Sequence, residues 1–439
     1  MTYCAIDFGT SNSAVAISTA AGMQLVPLEG NQVTMPTAVF YCTDRDDIPL
    51  GAEPAPAGSE PPMPRAFGRT AVQAYMDGYG GRLMRSMKSI LGSPLVDQTT
   101  EIGEGYGVKY FDVITTYLRH LRDKAQRAAG HEITQVILGR PVYFVDGEPE
   151  RDAQAEASLR AAAHAVGFKD VSFQFEPIAA AFDFEQRVDR EQKVLVADIG
   201  GGTSDFSVVR VGPDRVAQLD RRSDILANHG IHIAGTDFDR HVSLHSIMPA
   251  LGYGAFGPSV GGAEPRPVPS RVYFDLSTWH LINTVYQPAR VAELKAMGGF
   301  YGNPVHHTRL MRVINDRLGH NLISRAEHAK IDVATQGQAE IDLHLVEAQL
   351  KSALNHNEAE QALSADLQRI VDCAIETVKQ AGIQPNELDA LYFTGGSTGL
   401  GLLTDQLEAA FPQAQAVRGD RLASVATGLG IHARRWFTA

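Results

Sequence analysis

The sequence predicts an α/β protein built twice over: two parallel-rich lobes of the same design, facing each other across a cleft. Three observations carry this. "AIDFGTSNSAVAI" (5–17) and "VLVADIGGGTSDFSVV" (194–209) are both apolar runs that deliver an aspartate into a turn of small residues and leave as a second apolar run. Each is followed, after an interruption, by the order helix, strand, helix, strand, helix. And 439 residues exceed what one ordinary core accommodates.

The elements follow in chain order. "TYCAIDFGTSNSAVAIST" reads as a hairpin, because two β-rich runs flank Gly9, Thr10, Ser11 and Asn12. An insertion of about residues 38–110 follows, and its "PLGAEPAPAGSEPPMPRAFG" predicts irregular surface chain. In "FDVITTYLRHLRDKAQRAAG", Ile114, Leu118 and Leu121 share a helical face and Gly130 is placed to end the helix. Strand "QVILG", helix "PERDAQAEASLRAAAHAVG", strand "VSFQFE" and helix "PIAAAFDFEQRV" complete the first copy, lobe I over 1–190. Lobe II, 191–410, opens on the second hairpin and carries a larger insertion, about 236–360, with a glycine- and proline-rich loop near 253–270. It continues as helix "SADLQRIVDCAIETVKQAG", strand "ALYFTGG" and helix "GLLTDQLEAAF". Strand "AQAV" and helix "DRLASVATGLGIHARRWF" fill 411–439, the helix returning to lobe I.

The bulk numbers set outer limits. A net charge of −12 argues against a general nucleic-acid or anionic-membrane binder. No apolar run is long enough to span a bilayer, and no secretory h-region opens the chain. Three cysteines without a C-x-x-C pair argue against a disulfide framework or zinc site and predict a reducing, cytoplasmic setting. Of fifteen histidines, the pairs His229/His232 and His306/His307 have no convincing ligand set.

The turns carry the chemistry. Glycine lets consecutive backbone N–H groups face an anion, and a threonine or serine hydroxyl adds a neutral donor. An aspartate before such a turn would repel phosphate unless a cation lay between, and magnesium held through waters satisfies that need. A single turn would read as an aspartate capping its own strand. Two of them, in duplicated context, predict one metal–nucleotide complex between Asp7 on one side and Asp198 and Asp205 on the other.

These turns resemble the phosphate-binding hairpins of the actin-like ATPase superfamily, and in detail those of the DnaK-type heat-shock chaperones. "IDFGTSNSAV" and "DIGGGTSDFSV" match the two phosphate motifs. "FEPIAAAF" resembles the first connecting helix, "YFTGGSTGL" the adenosine motif and "SVATGLGIHA" the second connecting helix. The five motifs stand in the family's order over nearly the whole chain, closest to its compact bacterial members of the YegD type. The resemblance implies a duplicated actin-like ATPase fold, α/β, with two lobes around a nucleotide cleft.

It also implies roles, residue by residue. ATP or ADP would be bound by Gly9, Thr10, Ser11, Asn12, Gly200, Gly201, Gly202, Thr203, Gly235, Glu327, Lys330, Gly395, Gly396 and Ser397. Mg²⁺ would be held, mostly through water, by Asp7, Glu176, Asp198 and Asp205. Lys88, in "SMKSILG", matches the catalytic lysine, acting with Glu176, Asp198 and Thr203; its plain reading is a surface lysine beside Arg82 and Arg85. Pro141 and Arg151 match a proline switch, and Gly235 and Asp237 the segment entering the second insertion. Ile331 stands where the family often has an arginine on the adenine.

The expected function is an ATP-binding, slowly hydrolysing switch with a protein client or co-chaperone as partner. The chain ends at "ARRWFTA", so the family's peptide-binding module is not expected here, and client contact would fall to the second insertion. Its aromatic stretch "RVYFDLSTWHLINTVY" reads more simply as the insertion's own core. The same superfold also hosts sugar and small-acid kinases, which need a carboxylate base; Asp146 is the candidate. The chaperone form of the motifs favours the switch.

Overall fold

The apolar runs around the first turn pair as β1 (Tyr3–Phe8) and β2 (Asn12–Thr19), antiparallel, with Asp7 opposite Ala14. The computed structural model describes every residue except 1, 20–21, 45, 56–61, 104, 146, 260–263, 421–422 and 439. The hairpin extends through β3 (Gly22–Leu25), and β4 (Thr34–Pro36) pairs with the start of β2.

The first insertion holds more structure than its composition suggests. β5 (Ala38–Cys42), β6 (Arg65–Phe67), helix α1 (Gly68–Asp77) and β7 (Gly81–Arg85) form a three-stranded sheet with β5 central and a helix packed on it. All of β5 is buried, so Ala38, Phe40 and Cys42 face the helix while Val39 and Tyr41 face the main core. A hairpin, β8 (Thr99–Gly103) and β9 (Tyr106–Lys109), leads into α2 (Tyr110–Ala129), which Gly130 ends at φ 73°. Then come β10 (Gln135–Arg140), α3 (Pro149–Ala165), β11 (Asp170–Phe175) and α4 (Glu176–Glu185).

The second copy opens with β12 (Gln192–Ile199), β13 (Ser204–Val211) and β14 (Ile225–Ile231). Its insertion is helical: α5 (Gly235–Val242), α6 (Arg271–Ser277), α7 (Ile282–Val285), α8 (Pro288–Ala296), α9 (Pro304–Asn315) and α10 (Gly319–Gln336). A hairpin, β15 (Gln338–Asp342) and β16 (Lys351–Asn355), closes it. α11 (His356–Gln380), capped by Asn355 and Glu358, then leads to β17 (Ala390–Thr394), α12 (Gly401–Ala410), β18 (Gln415–Arg418) and α13 (Ser424–Thr438).

The duplication is explicit in the topology. One sheet runs β11-β10-β1-β2-β3 and the other β18-β17-β12-β13-β14. In both, the hairpin strands pair antiparallel and the two later strands add in parallel. The fold is a duplicated actin-like ATPase fold.

α4 and α13 fill the space between the sheets. Ala5, Ala16 and Ile137 of the first sheet and Val194, Val196 and Val209 of the second share one core with them. The helices cross almost backbone to backbone, because Gly428 lacks a side chain: a Cβ there would lie 1.8 Å from the Ala179 carbonyl oxygen. Arg221, fully buried, donates to both carboxylate oxygens of Glu185 (3.0 and 2.7 Å) and ties the end of α4 to the second copy. No helix among the described residues is long and apolar enough to cross a membrane.

In the aromatic stretch of the second insertion, Val272, Tyr273, Leu276, Ile282 and Val285 are buried in one core that the insertion shares with the second sheet. Phe256, Phe274 and Phe300 stay exposed.

Candidate functional site

The two turns stand face to face. A Cβ built on Gly201 would lie 3.0 Å from the Ser11 hydroxyl oxygen. The first turn is tight, with a Cβ on Gly9 falling 2.2 Å from the Asn12 carbonyl oxygen; Thr37 clamps it by donating to Gly9 O (2.7 Å). The second is closed by Gly200 N–H to Thr203 O (3.0 Å). Asp198 and Asp205 lie directly opposite one another in the β12–β13 register. Gly230 is required beside them, since a Cβ there would meet Asp205 Oδ1 at 2.5 Å.

The segment after β17 packs onto the second turn. Gly395, at φ 86°, passes so close that a Cβ would sit 2.4 Å from Ile199 O. Ser397 donates to Gly200 O (2.6 Å), and Thr236, at the start of α5, donates through backbone and hydroxyl to Gly201 O (2.8 Å each). Lys330 of α10 pairs with Asp239 (2.6 Å), and Glu327 lies one helical turn before it.

All these groups border one cavity of about 700 Å³ between the two sheets and their insertions. Asp7, Gly9, Thr10, Ser11, Asn12, Lys88 and Glu176 line it from the first copy. Asp198, Gly200, Gly201, Gly202, Thr203, Asp205, Gly235, Glu327, Lys330, Ile331, Gly395, Gly396 and Ser397 line it from the second. Every residue expected from the sequence to hold nucleotide or metal, or to act with Lys88, is therefore on one wall or another. Lys88 is buried and paired with Glu176, the first residue of α4; it is not the surface lysine of the plain reading.

The electrostatics are those of crowded acids. Burial, reinforced by Glu176 and Asp198 and opposed by Lys88, pushes the Asp7 carboxyl up to about 8. Burial, with Asp205 and Glu176, pushes Asp198 up to about 7. Desolvation of a charged form and repulsion between like charges act in the same direction here. One lysine does not balance four carboxyl groups, and the donors are all oxygen, so the set suits a hard divalent cation. Among the described residues no three His, Cys, Asp or Glu side chains stand close enough to grip a metal directly.

Other expectations fall elsewhere. Arg151 donates to Gly92 O (2.9 Å) and pairs with Glu148, so its direct contacts are with the chain just after Lys88 and with its own helix start. Asp237 caps α5 by accepting from Ala234 N (3.1 Å). Asp146 lies outside the described residues. His307 bonds Leu294 O (2.9 Å).

Sequence reasoning missed one end of the cavity, where Val72, Met76 and Arg85 of the first insertion meet Trp279 and His320 of the second. Arg85 was seen only as part of a basic stretch, and no local pattern joins it to a tryptophan in the other copy.

A family model described as "Hsp70 protein" matches residues 3–249 and 308–434. This chain belongs to the Hsp70 family. It is similar to a "Chaperone protein HscA homolog" of Shewanella sp. (strain MR-7), 24% identical over 98% of this chain and 57% of the relative. A namesake from Shewanella baltica (strain OS155 / ATCC BAA-1091) is 23% identical over the same shares. A "Chaperone protein dnaK" of Gracilaria tenuistipitata var. liui is 25% identical over 54% of this chain and 36% of the relative. The Hsp70-family chain thus spans little more than half the length of these HscA relatives, and both turns and all the cavity's phosphate-suited glycines lie within the matched residues.

Proposed function

We propose that this chain binds ATP and ADP with Mg²⁺ in the cleft between its two sheets, hydrolyses ATP slowly, and serves as the nucleotide-driven switch of a chaperone system. The carrying observation is the meeting of the two aspartate-bearing turns, Ser11 against Gly201, on the wall of one cavity. Membership of the Hsp70 family and the chaperone names of its relatives support the same reading.

The roles follow from chemistry. Backbone N–H groups of the turns around Gly9–Asn12 and Gly200–Thr203, with the Thr10 and Thr203 hydroxyls, bind phosphate oxygens. Asp7, Glu176, Asp198 and Asp205 are the acids that would hold Mg²⁺, mostly through water, and once bound the ion neutralises phosphate charge. Lys88, held by Glu176, offsets charge at the terminal phosphate and orients the attacking water. Gly395, Gly396, Ser397, Gly235, Glu327 and Lys330 form the adenosine side. The division into lobes at residues 190 and 191 puts the turns on opposite sides of a cleft that closes on nucleotide. Three free, buried cysteines suit a reducing cytoplasm, and the partner would be a client or co-chaperone protein.

The test is calorimetry with Mg²⁺ and ADP, followed by single-turnover ATP hydrolysis repeated with candidate sugars and with an unfolded peptide. One-site ADP binding and slow phosphate release indifferent to sugar are expected. Phosphorylation of a sugar would install the kinase reading instead, and no binding at millimolar nucleotide would remove both.

A further inference from the structure

The cavity has three cationic side chains on its described walls, and two of them are already paired: Lys88 with Glu176 and Lys330 with Asp239. Arg85 is the third. Among the described residues its side chain makes no ion pair and no hydrogen bond, and its one specific contact is with an aromatic ring. Its guanidinium carbon stands 4.2 Å from the centroid of Trp279. Tyr75 (5.1 Å) and His320 (5.1 Å) hold the Trp279 ring from other sides.

A guanidinium stacked on an indole keeps its N–H donors in its own plane, free to point past the ring. Arg85 is half-buried, and burial draws its pKa down while the field of Glu327 on α10 opposes this. None of its nitrogens is among the fully buried polar atoms without a partner, so the fork of donors stays open to an anionic ligand that enters the cavity. The chain also aims this residue together with Lys88. Ser86, at φ 53°, turns the backbone between them, and both side chains reach the same cavity. Trp279 lies in residues 250–307, outside the stretch that the family model matches.

We propose that Arg85 is a ligand-binding residue of the cleft, donating to phosphate oxygens of the bound nucleotide, with Trp279 as the platform that aims it. The inference rests on the nucleotide reading above. It makes one phosphate contact depend on both insertions at once: the cation comes from the first and its support from the second.

The experiment compares Mg²⁺–ADP and adenosine binding by calorimetry to the wild-type chain, Arg85→Ala and Arg85→Gln, each first shown to unfold cooperatively on heating. Loss of a charge-assisted phosphate contact should weaken ADP roughly ten- to a hundred-fold. Adenosine, which has no phosphate, should bind all three proteins equally. Trp279→Ala should weaken ADP in the same selective way, because the guanidinium loses its platform. Unchanged ADP affinity in both Arg85 variants overturns the proposal, and so does an equal loss for ADP and adenosine, which would mean that Arg85 only holds the cleft together. A wild-type chain that binds neither compound fails at the earlier step and overturns the nucleotide reading itself.

Discussion

Ser11 and Gly201, on opposite hairpins, are the point at which the two copies of the turn touch: a single methyl on Gly201 would stand 3.0 Å from the Ser11 hydroxyl. That distance is tight but not forbidden, because a hydroxyl at the end of a short side chain can rotate away. Gly201→Ala should therefore weaken nucleotide binding, about tenfold, with little change in melting temperature, since the misfit is at the site rather than in the core. Adding Ser11→Ala should recover part of the loss. Calorimetry on the two single variants and the double variant reads this as a coupling energy.

Lys88→Ala should slow single-turnover hydrolysis about a hundred-fold while changing ADP affinity far less, as expected for a cation that acts on charge developing at the terminal phosphate. An unchanged rate would mean that the buried Lys88–Glu176 pair serves only the fold.

Asp198→Asn removes a charge from the acid cluster while keeping the side chain's shape. Titration of Mg²⁺ at fixed nucleotide should show the metal dependence of binding shifted to higher concentration, by about tenfold for one lost charge contact. The same variant should be no less stable than the parent without metal, because burial and repulsion already disfavour this carboxylate.

Gly428→Ala should destabilise the protein by about 3 kcal/mol, since its methyl would collide with the Ala179 backbone and neither helix can yield by rotating a side chain. Denaturant unfolding checks this, and the loss should appear in the midpoint rather than the slope.

His432 is buried on α13, accepts a hydrogen bond from Gln174 (3.1 Å), and is held down to about 4 by burial and by Arg435 and Arg221. The folded protein therefore favours the neutral ring. Its contribution is complete above the ordinary histidine range and is lost as the pH falls from about 6.5 toward 4, because the unfolded chain then binds the proton first. The loss is at most about 3 kcal/mol for a shift of this size. The difference in unfolding midpoint between the parent and His432→Gln, measured at pH 7.5 and pH 5.0, isolates this histidine from the others.

What the sequence revealed and what it withheld divide along a physical line. Both hairpins, the parallel strands and the connecting helices were legible because each is a local pattern: an apolar run into a glycine-rich turn, or a 3.6-residue stripe such as Ile114, Leu118 and Leu121. Gly395 and Gly201 were legible as turn glycines, although their closeness to Ile199 and Ser11 was not. β3 and β14 escaped notice since they are short or only half-buried and are specified by the neighbour they pair with. α1 and β5 to β7 were hidden inside a segment judged by its prolines. Trp279 and Arg85 were each visible as residues, but their stacking depends on two insertions almost 200 positions apart, and no period or spacing encodes that.

The crossing of α4 and α13 bears on how the molecule is made. The first sheet contains Tyr3 and Ala16, yet the helix that covers its inner face stands more than 400 positions further along the chain: Gly430 packs on Ala16, and Tyr3 meets Phe437 at 5.4 Å between ring centres. Without α13, Ala5, Ala16 and Ile137 lack part of the apolar cover that completes their core. Completing this core joins segments more than 400 positions apart, and contacts of such separation are the slowest kind to close. A protein whose relatives are named for assisting other chains thus depends for its own central core on a contact of very long reach.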